Sequence, residues 1–234
     1  DGRTIWNGAM PGSTPEERRA VYCEMFDVLA KLHNTPIEAA GLENFGKPGN
    51  YFGRQVDRWT KQYRLSETET MPGMERLIEW LPATLPEQTR TSVVHGDFRI
   101  DNAIFDRNSP KCLAVLDWEL STIGDPLADF SYVAMAWVTE NGGRSGVKDL
   151  DRKALGIPEL EEMVERYCAA TGRDSVPDMN WYLAYNFFRL AGIMQGIKKR
   201  VIDGTASSAH AKAMSDRVTP LVDKALEFAV KAGA

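Results

Sequence analysis

Polar side chains crowd into one stretch of the 234-residue chain, His95-Gly96-Asp97-Phe98-Arg99-Ile100-Asp101-Asn102, and resume at Leu116-Asp117-Trp118-Glu119. Phosphoryl transfer from a nucleotide asks for few protein groups: a carboxylate beside the acceptor hydroxyl, and oxygen ligands that hold magnesium on the phosphates. An Asp and an Asn in one loop, with a second Asp at the end of an adjacent strand, meet that need. Asp97 would accept or orient the hydroxyl proton, while Asn102 and Asp117 would coordinate the metal. His, Asp and Asn can also build a two-metal phosphohydrolase site. Such sites take several histidines, and the other two here, His33 and His210, fall in helical patterns without neighbouring ligands.

Several of these residues have plainer readings. His95, ending an apolar run, is read as a packed, hydrogen-bonded side chain that shapes its loop rather than as a ligand. Asp101 is a ligand, a substrate contact or a solvated loop residue, and the last is expected. Asp125, followed by Pro126, is read as a helix cap. Met25, Trp59, Phe187, Phe188 and Met194 recur at helical spacings and are assigned to the core.

Elements must hold these groups together. Short β-branched or apolar runs at Thr91–His95, Ala103–Phe105 and Cys112–Leu116 predict three strands that carry the polar loops. Helices are expected on both sides. Thr14-Pro15-Glu16-Glu17 combines a hydroxyl cap, proline at the first position and a capping-box glutamate. Val21, Met25, Val28, Leu29 and Leu32 then recur at helical spacing up to His33-Asn34. Phe52, Val56, Trp59 and Tyr63 predict a helix over 51–63, and Met74, Leu77, Ile78 and Leu81 a shorter one ending at Pro82. Asp125-Pro126 opens a helix to about Val138, and 141–151, with Gly142, Gly143 and Gly146, reads as a loop. Helical patterns return over 158–170, 179–202 and from 207 to the end, where Pro220 should kink or split the last. The expected fold is therefore α+β, mostly helical, with a small β patch carrying the catalytic loop.

Composition narrows the function classes. At 43% hydrophobic and 26% charged residues the chain can bury a sizeable core, and its length falls between one domain and two. Lys and Arg number 28 against 33 for Asp and Glu, a net charge of -5 without a basic block, so nucleic acid is not an expected partner. Cys23, Cys112 and Cys168 are odd in number and far apart, which suggests neither a disulfide framework nor a zinc site. The cysteine usage reads as a reducing cytoplasm, and no apolar run approaches the roughly 18 residues of a membrane span, so no membrane partner is expected.

The pattern H-G-D-x-x-x-x-N, then D-W-E, then G-D-P-x-x-D (Gly124, Asp125, Pro126, Asp129) resembles the aminoglycoside phosphotransferase and choline kinase group. That group has a fold similar to protein kinases. The wording H-G-D-F-R-x-D-N and L-D-W-E-L-S-T-x-G-D-P-L-A-D is most similar to the branch fused to acyl-CoA dehydrogenases in animals and free-standing in bacteria. Gly12–Pro15, Gly49–Tyr63 and Trp80-Leu81-Pro82 extend the resemblance over nearly the whole chain. Four fixed residues match by chance with a frequency of about 10⁻³ over a chain of this length. The resemblance implies ATP and Mg²⁺ as cofactors, Asp97 as catalytic base, and Asn102 and Asp117 as the residues holding the metal of the bound nucleotide. Glu119 is implied as a metal-associated acid, the alternative being a solvated carboxylate. Arg99 is implied as a cation near the transferred phosphoryl, the alternative being a surface arginine. Asp129 would hold the catalytic loop through backbone hydrogen bonds, and His95 would support it structurally.

The same resemblance calls for a nucleotide-binding lobe with a glycine-rich hairpin, a strand lysine and a helix glutamate. Such a lobe needs about 70 residues or more, and Asp1-Gly2-Arg3-Thr4 resembles the segment that follows the hinge. Residues 1–234 are thus expected to be the C-terminal catalytic and substrate lobe, inactive alone, with the N-terminal lobe missing in cis. Gly41 to Lys47 fits G-x-x-x-x-G-K, but Pro48 stands where a hydroxyl should meet magnesium, and a surface turn is the better reading. The expected partner is a small-molecule hydroxyl, with a hydroxyacyl thioester ranked ahead of an aminoglycoside. For the latter, Glu159, Glu161, Glu162 and Glu165 would be compatible with an acidic cleft, although such a run is more often a solvated helix face. A pseudokinase or binding module is the non-enzymatic alternative.

Overall fold

The computed structural model describes residues 1–142, 144–206 and 211–234, mostly helical with two small antiparallel sheets. Gly143 and Ser207 to His210 lie outside the described residues, and with them part of the 141–151 loop and the histidine at 210. In chain order the elements are β1 (Gly2–Thr4), α1 (Pro15–His33), α2 (Tyr51–Ser66), α3 (Pro72–Ala83), β2 (Ser92–Val94), β3 (Ala103–Asp106) and β4 (Cys112–Val115). There follow β5 (Thr122–Gly124), α4 (Leu127–Ala134), α5 (Arg152–Leu155), α6 (Leu160–Thr171), α7 (Met179–Ile202), α8 (Ala211–Ser215) and α9 (Val218–Lys231). Two compact units emerge, one from Asp1–Gly49 with Thr89–Pro177, the other from Asn50–Gln88 with Asp178–Ala234.

The first unit holds both sheets and α1. Thr14 Oγ1 accepts the Glu17 N–H at 3.2 Å and Glu17 returns the bond to the Thr14 N–H at 2.9 Å, so α1 starts where its capping box dictates. Its buried face is centred on Val21, Met25 and Leu29 and widened by Tyr22 and Phe26, while Val28 and Leu32 are only half-buried. Phe26 meets Phe130 edge-on at 5.6 Å, joining α1 to α4. In one sheet the order is β1-β3-β4; in the other, β2 pairs with β5. The strands β1 and β5, three residues each, were not expected from sequence, because each is defined by a partner about a hundred or thirty residues away: Gly2↔Asp106 and Ser92↔Gly124. The helix expected from Asp125 begins at Leu127, and its last turn tightens into a 3₁₀ segment, Met135–Val138.

The second unit packs α2, α3, α7, α8 and α9. Phe52 of α2 contacts the rings of Trp181, Tyr182 and Tyr185 at 5.1 to 5.3 Å, and Phe187 of α7 stacks on Phe228 of α9 at 5.8 Å. Trp59, Phe187 and Phe188 are buried as expected, as is Met25 in the first unit, whereas Met194 is half-buried. Helix α3 runs one residue past Pro82, whose missing N–H leaves the Ile78 carbonyl without its helical donor, and the helix stops at Ala83. The final helical stretch does split, but between Ser215 and Val218; Pro220 sits in the first turn of α9, where no N–H bond is lost. Among the described residues no helix is long and apolar enough to cross a membrane.

Candidate active site

Strand pairing brings the two polar segments side by side. Ala103 faces Val115 in the β3–β4 ladder, and one residue further the Leu116 N–H donates to the Asn102 carbonyl at 2.8 Å. The Leu116 carbonyl in turn accepts from His95 Nε2 at 2.8 Å. One residue, through its main-chain N–H and C=O, therefore ties the loop after β2 to the loop after β4. His95 is fully buried, and its Nδ1 accepts the Asp97 N–H at 3.2 Å. The tautomer with its proton on Nε2 satisfies both bonds, so the ring shapes the loop and has no nitrogen left for a metal. Gly96 turns the chain at φ 85°, and a Cβ there would lie 2.6 Å from the Leu120 carbonyl oxygen, so no other residue fits.

Within the loop, Asn102 is buried and donates both amide hydrogens to Asp97, one to its carbonyl oxygen and one to Oδ2, each at 2.9 Å. The remaining amide atom of Asn102 is an acceptor oxygen, the hard donor that magnesium takes. On the other side of Asp97, Oδ1 lies 3.4 Å from Arg99 Nε, and Arg99 Nη2 lies 3.4 Å from Asp101 Oδ2. Both separations are ion pairs at long range, and Nε has no hydrogen-bond partner. Burial opposes the Arg99 charge, but Tyr132, Asp97, Asp101 and Asp117 outweigh it and hold its pKa above the ordinary arginine value. Asp101 is not the solvated residue expected: its side chain is 13% exposed, with Oδ1 shielded and unpaired.

Asp117 follows Leu116 in a left-handed conformation, φ 66° and ψ 54°, uncommon for a residue with a side chain. Its carboxylate is exposed beside the loop end, as is Glu119 on the 3₁₀ turn Trp118–Leu120. Among the described residues no three His, Cys, Asp or Glu side chains form a metal cluster; Asn102 and Asp117, all-oxygen donors on adjoining loop ends, fit a magnesium held partly by nucleotide phosphates and water.

Behind the loop, Asp129 in the first turn of α4 is 1% exposed and accepts the His95 N–H at 2.6 Å through Oδ2 and the Gly96 N–H at 2.8 Å through Oδ1. Its Oδ2 also lies 3.3 Å from His33 Nε2, and His33 Nδ1 lies 2.7 Å from the Tyr167 hydroxyl. Sequence reading assigned no role to His33 or Tyr167; they sit at the end of α1 and within α6, and no spacing links them to the loop. Asp125 accepts the Leu127 N–H at 2.8 Å, a capping bond, and burial pushes its carboxyl up to about 6. Gly41 to Lys47 lies in turns, with Gly46 packed against Thr122 and Ile123 of β5. Of the glutamates along α6, Glu162 pairs with Arg19 of α1, and Glu159 pairs with Arg152 at 2.8 Å.

Comparison with known proteins places these residues in context. The chain matches the phosphotransferase enzyme family (APH) over residues 1–182. It is 46% identical over 227 residues to acyl-CoA dehydrogenase family member 10 of Mus musculus, covering 96% of this chain and 21% of that protein. The chain thus spans about a fifth of the length of that curated relative. A Ralstonia eutropha crystal structure, provisionally assigned as an aminoglycoside phosphotransferase, is 49% identical with a TM-score of 0.95, covering 99% of this chain and 71% of that one. Choline kinase of Streptococcus pneumoniae, 11% identical with a TM-score of 0.58 over 95% of this chain and 66% of its own, shares the fold. A structure of that kinase in complex with AMP gives a TM-score of 0.56 at 13% identity, over 96% and 66% of the two chains.

Proposed function

Since the chain belongs to the phosphotransferase enzyme family, we propose that it is the C-terminal, catalytic lobe of a kinase that uses ATP and magnesium to phosphorylate a hydroxyl of a small molecule. The observation that carries this reading is the bonding of Asn102 to Asp97 at 2.9 Å together with the Leu116 main chain that holds the Asp117 segment against it.

With Oδ2 committed to Asn102, Asp97 has Oδ1 available to accept the hydroxyl proton as the acceptor oxygen bonds to the γ-phosphorus and the bond from that phosphorus to the bridging oxygen breaks, releasing ADP. Asn102 fixes that carboxylate, and its Oδ1 together with Asp117 would hold the magnesium, with Glu119 next to them. Bound magnesium would supply charge neutralisation on the phosphate oxygens. Arg99, whose ion pairs to Asp97 and Asp101 are both long at 3.4 Å, would turn its guanidinium toward the transferring phosphoryl and offset developing charge. His95 and Asp129 fix the loop without touching the reacting atoms.

For the acceptor, a hydroxyacyl thioester is favoured over an aminoglycoside. A polycation needs unpaired acids, and two of the four glutamates in the candidate acidic run, Glu159 and Glu162, already face Arg152 and Arg19. The likeness to an acyl-CoA dehydrogenase family member points the same way. The test is Asp97→Asn in the full-length protein, assayed for phosphate transfer from Mg-ATP to hydroxyacyl-CoA and aminoglycoside panels. Turnover should fall by about 10²- to 10⁴-fold with an unchanged melting temperature, and undiminished turnover overturns the assignment.

A further inference from the structure

The catalytic loop is held from behind by a chain of buried hydrogen bonds that does not stop at Asp129. Asp129 Oδ2 already takes the His95 N–H, and it also receives His33 Nε2 at 3.3 Å; the other ring nitrogen of His33 meets the Tyr167 hydroxyl at 2.7 Å. His33 and Asp129 have side chains 2% and 1% exposed, and Tyr167 is fully buried, so water cannot replace any link.

Each link runs in one direction. An ionised carboxylate only accepts, so His33 Nε2 is the donor to Asp129; with the imidazole neutral, Nδ1 is the acceptor and takes the Tyr167 hydroxyl proton. Burial raises the Tyr167 pKa above the ordinary tyrosine value, so that hydroxyl keeps the proton the chain requires. Tyr167 cannot drift to another partner: Phe130 lies tilted against it at 4.5 Å between centroids, and His33 meets its ring edge-on at 5.8 Å.

At the other end, three successive N–H groups are restrained. Those of His95 and Gly96 bond to Asp129, and that of Asp97 bonds to the His95 ring. The direction of the Asp97 side chain thus follows from the orientation of the Asp129 carboxylate. That orientation is set by His33, and the tautomer and tilt of His33 are set by Tyr167.

We propose that Tyr167 of α6 is a positioning residue for the phosphotransfer site, acting through His33 and Asp129 on the backbone that carries Asp97. The proposal deepens the functional reading above and rests on it for its kinetic consequence. It makes α6 part of the catalytic machinery at one remove: a hydroxyl group two side chains away decides how rigidly the base is presented.

The experiment uses the full-length protein with Tyr167→Phe, His33→Gln and the double variant. Gln keeps a donor toward Asp129 and discards the acceptor that Tyr167 serves. Hydrogen–deuterium exchange should quicken in the peptide spanning 93–99 in Tyr167→Phe and stay unchanged in β3 and α9. With Mg-ATP and the acceptor found in the panel, kcat should fall about tenfold, the usual scale for a lost supporting bond, with KM for both substrates retained. In the His33→Gln background, Tyr167→Phe should cost nothing further. Unchanged exchange in 93–99, or losses in the two single variants that multiply in the double, overturns the relay. Asp97→Asn run alongside separates the two claims. If it retains turnover, the kinase reading fails while the exchange result still judges the relay; if it is inactive and Tyr167→Phe exchanges like wild type, the relay alone fails.

Discussion

Asp129→Asn keeps the shape of the side chain that braces the catalytic loop and removes its charge and one acceptor. The native carboxylate takes the His95 N–H at 2.6 Å, the Gly96 N–H at 2.8 Å and His33 Nε2–H at 3.3 Å. An amide has a single acceptor oxygen. Placed at Oδ2, it keeps His95 and His33 but presents NH₂ to the Gly96 N–H, two donors facing each other. A buried N–H left without a partner costs about 1–3 kcal/mol. Loss of charge assistance at the two surviving bonds adds about 1 kcal/mol each, since bonds to an ionised group are roughly twice as strong as neutral ones. The total of about 3–5 kcal/mol is a large share of the roughly 5–15 kcal/mol that stabilises a typical domain. At about 2–4 °C per kcal/mol, the melting transition of the loop-bearing unit should drop by about 6–20 °C. Circular dichroism melts of wild type and variant read this directly, and turnover measured below the lowered transition should still be reduced because the backbone that carries Asp97 has lost its bracing. A midpoint shift under about 2 °C, with full turnover, would refute the bracing argument, since it would mean that a buried N–H facing an amide costs nothing.

Two further outcomes follow from the same region. Gly96→Ala should destabilise by more than about 2 kcal/mol, because a left-handed alanine costs about 1–2 kcal/mol and its Cβ would press on the Leu120 carbonyl at 2.6 Å; an unmoved urea midpoint contradicts this. Asp125 is raised by burial to about 6 from 3.8, so the fold prefers its protonated form: the stability it contributes is full below the unfolded value and is lost as pH rises through about 6. Between pH 4 and 7 the loss amounts to about 2 kcal/mol, and Asp125→Asn, which keeps an acceptor for the Leu127 N–H, should erase that dependence. Parallel urea curves for the two proteins across this range would count against it.

What the sequence revealed was what is local. The capping box at Thr14 and Glu17, the apolar stripe of α1 and the polar run from His95 to Asn102 all declare themselves within a few residues; the box closes, the stripe is largely buried, and Asn102 meets Asp97 within the run. The strands β1 and β5 escaped notice because three residues carry no period, and only pairing with Ile104 to Asp106 or Ser92 to Val94 makes them strands. Asp101 was misjudged for a related reason: its shielding comes from the folded loop and the Arg99 side chain, neither of which a residue type announces. The run of glutamates around α6 is a largely exposed face, and the arginines that meet two of them, Glu162 and Glu159, come from α1 and α5, which no local pattern announces. His33 and Tyr167 stand 134 residues apart and meet only after α1 and α6 have packed, so no motif could have joined them to the loop.

Leu116 illustrates how a site can depend on a position whose side chain does nothing. Its isobutyl group is 39% exposed, while its N–H and C=O are gripped from opposite sides by Asn102 and His95. A survey of tolerated amino acids would mark the position as indifferent, with proline the one exception, because proline alone deletes the N–H. The information held at this point is written in the main chain, common to every residue, so tolerance to substitution is here a poor guide to what keeps the two halves of the site in register.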